Sequence, residues 1–278
     1  MTALEQTMQT RLDALLATHS KLWIPYLMPE FPVPDTTVPT LLALQQCGAD
    51  LIELGFPHSD PLADGRMIQK AAQRAIQNGA TLTKIFHLVC AARAAQLPLT
   101  VPLIMMGYIN PILQYGQTRF LDDAKAAGVD GFIIPDLPPE EAEDFRQGCL
   151  ERNLALVFLI SPTTPEARIQ KIDNLATHFL YALSVNATTG TKKLREQQSA
   201  QLEDYLTRVR RNAKKPFVVG FGIETAAQAA KIFEIADGVV VGSALLRYLA
   251  DARTPEETAA RAAAFWQNLR QGASQPAH

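Results

Sequence analysis

Cysteine is scarce: Cys47, Cys90 and Cys149 are the only three in 278 residues. They are far apart and odd in number. That spacing fits buried thiols in a reducing cytoplasm better than disulfides or a metal site. Charge of one sign is lacking too. Acidic and basic residues nearly cancel, leaving a formal net charge of −2, so no nucleic-acid surface is expected. The one basic cluster, Arg208, Arg210, Arg211, Lys214 and Lys215, reads as a solvated helix end. No apolar run is long enough to span a bilayer. The N-terminal stretch is amphipathic through Leu4, Met8, Leu12, Leu15 and Leu16. Glu5, Arg11 and Asp13 interrupt it, so it lacks the apolar core of a secretion signal. No GxGxxG follows the first strand, which removes the main support for a dinucleotide-binding architecture. Linkers and low-complexity segments are absent. The expectation is one soluble cytoplasmic domain, residues 1–278, with no metal and no cofactor.

What is present is alternation. Short apolar runs fall at Leu22–Met28, Leu51–Phe56, Val101–Met106, Gly131–Pro135, Leu156–Ser161, Phe179–Ser184, Phe217–Phe221 and Gly238–Val241. Helix-like segments separate them, including Ala63–Asn78, Leu82–Ala95, Arg119–Ala127, Pro139–Arg152, Glu166–Leu175, Leu202–Asn212, Ala226–Glu234 and Pro255–Arg270. Strands rich in Val, Ile and Leu, each followed by a helix, imply a parallel sheet covered on both faces. Eight such units in a chain of this size favour a closed α/β TIM barrel, a fold of typically ~250 residues, over an open sheet. An extra helix within residues 1–20 would lie under the barrel. Two long connections leave strand ends at the face where barrel enzymes work, a loop at 57–65 after strand two and a lid at 185–200 after strand six.

The densest chemistry lies in Leu51-Ile-Glu-Leu-Gly-Phe-Pro-His-Ser-Asp-Pro-Leu-Ala-Asp-Gly65. Ile52, Leu54 and Phe56 form one strand face, which places Glu53 on the other, inside a barrel. Burial there disfavours the charged form and raises its pKa. Asp64, in the following loop, can stay ionised, so the two carboxyls can divide acid and base roles. Asp60 and Asp64 also fit ordinary turn chemistry, and Tyr181 fits simple packing beside Phe179 and Leu183. His58 beside Ser59 and Asp60 is better read as a loop residue than as part of a triad. At strands seven and eight, Gly220-Phe-Gly222 and Val241-Gly-Ser243 each lead into a helix. Glycines there let backbone N–H groups approach an anion at a helix start. The pairing favours a phosphorylated ligand over glycines that merely allow tight turns.

Residues Glu53 to Gln69 resemble the signature ELGxPxSDPxADGxxIQ of the tryptophan synthase α subunit family. The likeness continues through Asn110-Pro-Ile112, Gly131-Phe-Ile-Ile-Pro-Asp-Leu-Pro-Pro-Glu-Glu-Ala142, Pro162-Thr-Thr-Pro165, Thr189-Gly190, Gly220-Phe-Gly222 and Val241-Gly-Ser243. The resemblance implies a (β/α)8 lyase that splits indole-3-glycerol phosphate into indole and glyceraldehyde 3-phosphate, within tryptophan biosynthesis. It makes Glu53 the general acid/base and Asp64 the carboxylate that holds the indole N–H. Tyr181 would support Glu53 and the substrate, with Thr189 on the lid. Tyr26, Met106, Ile133, Leu159 and Phe221 match the indole pocket, and Gly190, Gly222, Gly242 and Ser243 the phosphate site. A β subunit in an α2β2 heterotetramer is the implied partner. A stand-alone indole-releasing lyase, a silent ligand-binding paralogue and a sugar-phosphate isomerase are the alternatives.

Three stretches depart from the family pattern. Met28-Pro-Glu-Phe-Pro32 replaces Thr-x-Gly-Asp-Pro, and Ser184-Val-Asn-Ala-Thr-Thr-Gly190 replaces Ser-Arg-x-Gly-x-Thr-Gly. Glu224 stands where a small hydroxyl residue is usual. The first two bear on partner coupling rather than on the catalytic pair.

Overall fold

Strands here carry apolar residues on both faces, and nearly every strand position is buried. One face meets helices and the other meets the opposite wall of a ring. The computed structural model describes residues 10–62, 64–184, 192–220 and 222–273. From the start they form α1 (Arg11–Thr18), β1 (Leu22–Leu27), α2 (Thr37–Gln46), β2 (Ile52–Gly55), α3 (Arg66–Gln77), α4 (Leu82–Arg93) and β3 (Leu103–Met106). Next come α5 (Ile109–Tyr115), α6 (Gln117–Ala127), β4 (Gly131–Ile133), α7 (Glu143–Glu151), β5 (Ala155–Val157), β6 (Leu159–Ile160) and α8 (Glu166–Leu175). The remainder is β7 (Leu180–Leu183), α9 (Lys192–Asn212), β8 (Phe217–Gly220), α10 (Ala226–Phe233), β9 (Gly238–Val241), α11 (Ser243–Leu249) and α12 (Pro255–Ala273).

All strand pairings are parallel, in the order β5-β4-β3-β2-β1-β9-β8-β7-β6. The two ends of that order are one strand. β5 pairs with β4 and β6 pairs with β7, and only Phe158 separates them. The ring is therefore a closed TIM barrel of eight positions. The fifth strand, expected as one run, changes partner at Phe158, whose carbonyl accepts from Tyr181 N–H at 3.1 Å.

Other expectations are corrected. α9 begins at Lys192 rather than near Leu202. The run Lys192–Asn212 holds neither Pro nor Gly and is rich in good helix formers. Much of the expected 185–200 lid is thus helix, and residues 185–191 lie outside the described residues. Only Cys149 is buried; Cys47 is partly covered and Cys90 is exposed. Cys90 falls on the outer side of α4, whose inner residues are Ile85, Phe86, Val89 and Ala92. The basic cluster is not simply solvated. Arg210 pairs with Asp237 at 2.6 Å, and Arg208 and Lys215 donate to the Pro162 and Asp173 carbonyls, both at 2.5 Å.

Helix α1 closes the bottom of the barrel. Thr10 and Asp13 cap it reciprocally. Arg11 pairs with Asp130 at 3.3 Å, and Asp13 with His178 at 3.3 Å. Asp130 also receives Arg93 and the Leu103 N–H, each at 2.8 Å. Outside the ring, Phe120 of α6 is fully buried among Phe56, Phe86, Phe132 and Phe145. Among the described residues, no helix is long and apolar enough to cross a membrane.

Candidate active site

Parallel register brings the inward side chains to one level. β1 against β2 aligns Tyr26 with Glu53, and β2 against β3 aligns Gly55 with Met106. Tyr26, Glu53, Met106 and Tyr181 line one cavity at the barrel mouth. Gly222 and the Gly242-Ser243 step into α11 line the same cavity. So do Ile68 of α3 and Val240 of β9, which the sequence reading did not single out. Including its open mouth, the cavity encloses about 340 Å³. Its lining combines a carboxyl and phenols with glycine-rich backbone beside a helix start.

Glu53 is 1% exposed, and neither carboxyl oxygen has a hydrogen-bond partner. Burial first, then the charge on Asp64, pushes its pKa up to about 8. It is therefore a carboxylic acid at neutral pH. Asp64 lines a second cavity of about 280 Å³ with His58 and Tyr108, and Tyr26 and Met106 line both. Burial raises Asp64 to about 6, opposed by a hydrogen bond from the Tyr108 side chain. At neutral pH it is mostly ionised. The two carboxyls occupy adjoining compartments in opposite protonation states.

Two glycines make room for phenols. A Cβ on Gly55 would sit 2.5 Å from the Tyr26 hydroxyl, and one on Gly220 would press still harder on the Tyr181 hydroxyl. Both tyrosines are buried. Burial, with the neighbouring Asp64 and Glu53 charges, pushes both phenols well above their ordinary pKa, so they remain donors. Tyr181 shares the cavity with Glu53 but does not hydrogen-bond to it.

Ile133 and Leu159 do not line either cavity. They end and begin short strands on either side of the strand-five break. Ile133 is packed at 2% exposure, and Leu159 directly follows the residue where the strand changes partner. Thr189, Gly190 and Phe221 lie outside the described residues. Glu224 does not point a free charge at the glycines, because Arg247 of α11 pairs with it at 2.5 Å. A Cβ on Gly242 would meet Tyr26 at 3.2 Å, so bulk added there acts on that ring first. Among the described residues, no group of His, Cys, Asp and Glu could hold a metal ion.

The family model for the tryptophan synthase alpha chain matches residues 12–274. The tryptophan synthase alpha chain of Chlorobaculum parvum is 54% identical over 265 residues, covering 94% of this chain and 99% of that one. Tryptophan synthase subunit alpha from Legionella pneumophila superposes with a TM-score of 0.80 at 35% identity, covering 95% and 98% of the two chains. The tryptophan synthase complex of Pyrococcus furiosus gives 0.77 at 34% identity, covering 91% and 97%.

Proposed function

Since the chain belongs to the tryptophan synthase alpha chain family, we propose that its barrel mouth cleaves indole-3-glycerol phosphate to indole and glyceraldehyde 3-phosphate. The reading rests above all on Glu53, a fully buried, partnerless acid in the wall of a cavity that the Gly222 and Gly242-Ser243 backbone also lines. Glu53 donates its proton to the indole carbon that bears the side chain. The resulting positive charge spreads to the ring N–H, which the Asp64 carboxylate holds. Ionised Glu53 then takes the proton from the hydroxyl on the adjacent side-chain carbon. That carbon becomes the aldehyde, and the carbon–carbon bond breaks. Its electron pair restores the neutral indole ring, and Glu53 ends protonated as it began.

Tyr26 and Tyr181, held neutral, share the cavity with Glu53 and would donate to it during its ionised interval. Backbone groups at Gly222, Gly242 and Ser243 bind the phosphate, since the first turn of a helix has no intrahelical acceptors for its N–H groups. Gly190 and Thr189 complete the site in this reading, with Phe221 and Met106 bounding the indole. The test is turnover of indole-3-glycerol phosphate by purified protein. Glu53→Gln removes proton transfer and should lower indole release by ~10²–10⁴-fold while a glycerol-phosphate analogue still binds. A Gln variant that keeps most of its turnover overturns the assignment.

The proposal extends to a β subunit that consumes indole, in an α2β2 assembly. Its support is the likeness to the Pyrococcus furiosus complex. The three unpaired thiols suit the reducing cytoplasm in which such an assembly would work. Indole production with saturating β subunit, divided by production without it, decides the point. A ratio near one from an active protein would instead favour a stand-alone lyase.

A further inference from the structure

Asp64 sits on a loop rather than on a strand, so something other than the sheet must fix its carboxylate. The loop's own hydrogen bonds fix only backbone. Asp64 N–H donates to the Pro61 carbonyl at 3.1 Å, and the Gln69 side chain donates to the Asp64 and Pro61 carbonyls at 2.9 and 3.3 Å. The carboxylate lines the second cavity together with Tyr108, whose side chain hydrogen-bonds to it. Tyr108 is 7% exposed, directly past β3, and the next residue, Ile109, donates its N–H to Asp136 at 2.9 Å. Its ring packs against His58, from the same loop as Asp64, with centroids 5.4 Å apart. We propose that Tyr108 is the positioning residue of this site: its hydroxyl aims the Asp64 carboxylate, and its ring ties the Asp64 loop to the barrel wall.

The inference rests on the reading of Asp64 as the carboxylate at the indole N–H. That task needs an ionised group in a fixed place, and misplacement by 1 Å can cost ~10²-fold in rate. A charge-assisted hydrogen bond supplies both conditions at once. The groups facing Asp64 are Glu53 from β2, Tyr26 from β1, Tyr181 from β7, His58 from its own loop and Tyr108. Of these, Tyr108 donates a hydrogen bond to it.

The experiment compares kcat/KM against pH for wild type, Tyr108→Phe, Asp64→Asn and the double variant. Tyr108→Phe should move the acid limb upward by about one to two pH units, the usual worth of a hydrogen bond to a charged group. Its deficit should be larger at pH 6.5 than at pH 7.5. In the Asp64→Asn background it should change little, because the group it serves is gone. Carbon-13 titration of the Asp64 carboxyl in wild type and Tyr108→Phe reads the same shift without turnover. An acid limb and carboxyl titration that do not move, with Asp64→Asn inactive, overturn the role of Tyr108 and leave that of Asp64 standing. A loss uniform across pH would likewise overturn it, marking a packing residue. Wild-type turnover by Asp64→Asn would instead overturn the reading of Asp64 itself.

Discussion

Glu53 and Asp64 feel the same burial to different degrees, and their titrations should divide the pH axis. Asp64 works ionised, so activity should rise as pH passes through about 6. Glu53 must begin protonated, so activity should fall as pH passes through about 8. Initial rates of indole release should give a bell in kcat/KM with its top near pH 7, between those two values. A profile flat from pH 5 to 9 would dissociate both carboxyls from the chemistry. The phenols make a second residue-scale test. Gly55→Ala places a methyl 2.5 Å from the Tyr26 hydroxyl, so the ring must shift from its position between the two cavities. Activity should fall at least tenfold, the ordinary consequence of displacing a group from a near-attack arrangement. Phe in place of Tyr26 in the same variant should restore part of the loss, because the clash is with the hydroxyl. No recovery would trace the defect to the strand instead.

At the scale of elements, the loop after β1 is built around an ionic core. Glu30 is fully buried with φ of 58°, a conformation uncommon for non-glycine residues. Its carboxylate meets Lys84 of α4 at 2.7 Å, Thr37 of α2 at 2.8 Å and the Asp35 N–H at 2.9 Å. Burial alone would raise its pKa, but these partners outweigh burial and lower it. Its contribution to stability is therefore present above the unfolded-state pKa and lost as pH falls through the lower folded one. Glu30→Ala strands a lysine that keeps some solvent contact and should destabilise by ~3 kcal/mol, the low end for breaking a buried pair. Equilibrium unfolding at pH 7 measures it, and a change under 1 kcal/mol would mean the loop repacks without the pair. Packing makes a similar demand at Phe120, where Phe120→Ala should lose ~3–5 kcal/mol with KM unchanged, since the ring lies outside the cavities.

These elements also mark where sequence reading succeeds. Strand cores were legible because both faces are apolar, as at Gly238–Val241. α2 and α5 were not picked out, and each carries a proline, Pro39 and Pro111, at its third position. Proline reads as a breaker, yet that early in a helix its missing N–H has no intrahelical acceptor to lose. The break at Phe158 follows from ring closure, which no local pattern records. Within the site, Glu53, Asp64 and the glycines stand in a contiguous motif or at strand ends. Tyr108 and Ile68 come to it only through tertiary contact, and Glu224 looked misplaced because its partner Arg247 lies 23 residues further along.

For the molecule as a whole, the barrel is a ring with stoppers. α1 is pinned beneath it through Asp130 and His178, and α12 lies along α2 with Trp266 fully buried and 6.2 Å from Trp23. The ring surrounds a carboxyl that the fold holds at about 8 against an ordinary value of 4.5. For Glu53, folding is consequently a proton-uptake step. At neutral pH the unfolded chain carries an ionised Glu53, and the native barrel must collect a proton from the buffer to bury it. For this group the native state loses ground as pH rises from 4.5 towards 8, by roughly 3 kcal/mol at pH 7. Glu53→Gln should therefore unfold at higher denaturant than wild type, with an advantage that is slight near pH 4 and grows until pH 8. Calorimetric unfolding in buffers of unlike ionisation enthalpy would count the difference, about one proton fewer for the Gln variant. An equal count in both proteins would mean that Glu53 enters the barrel already charged.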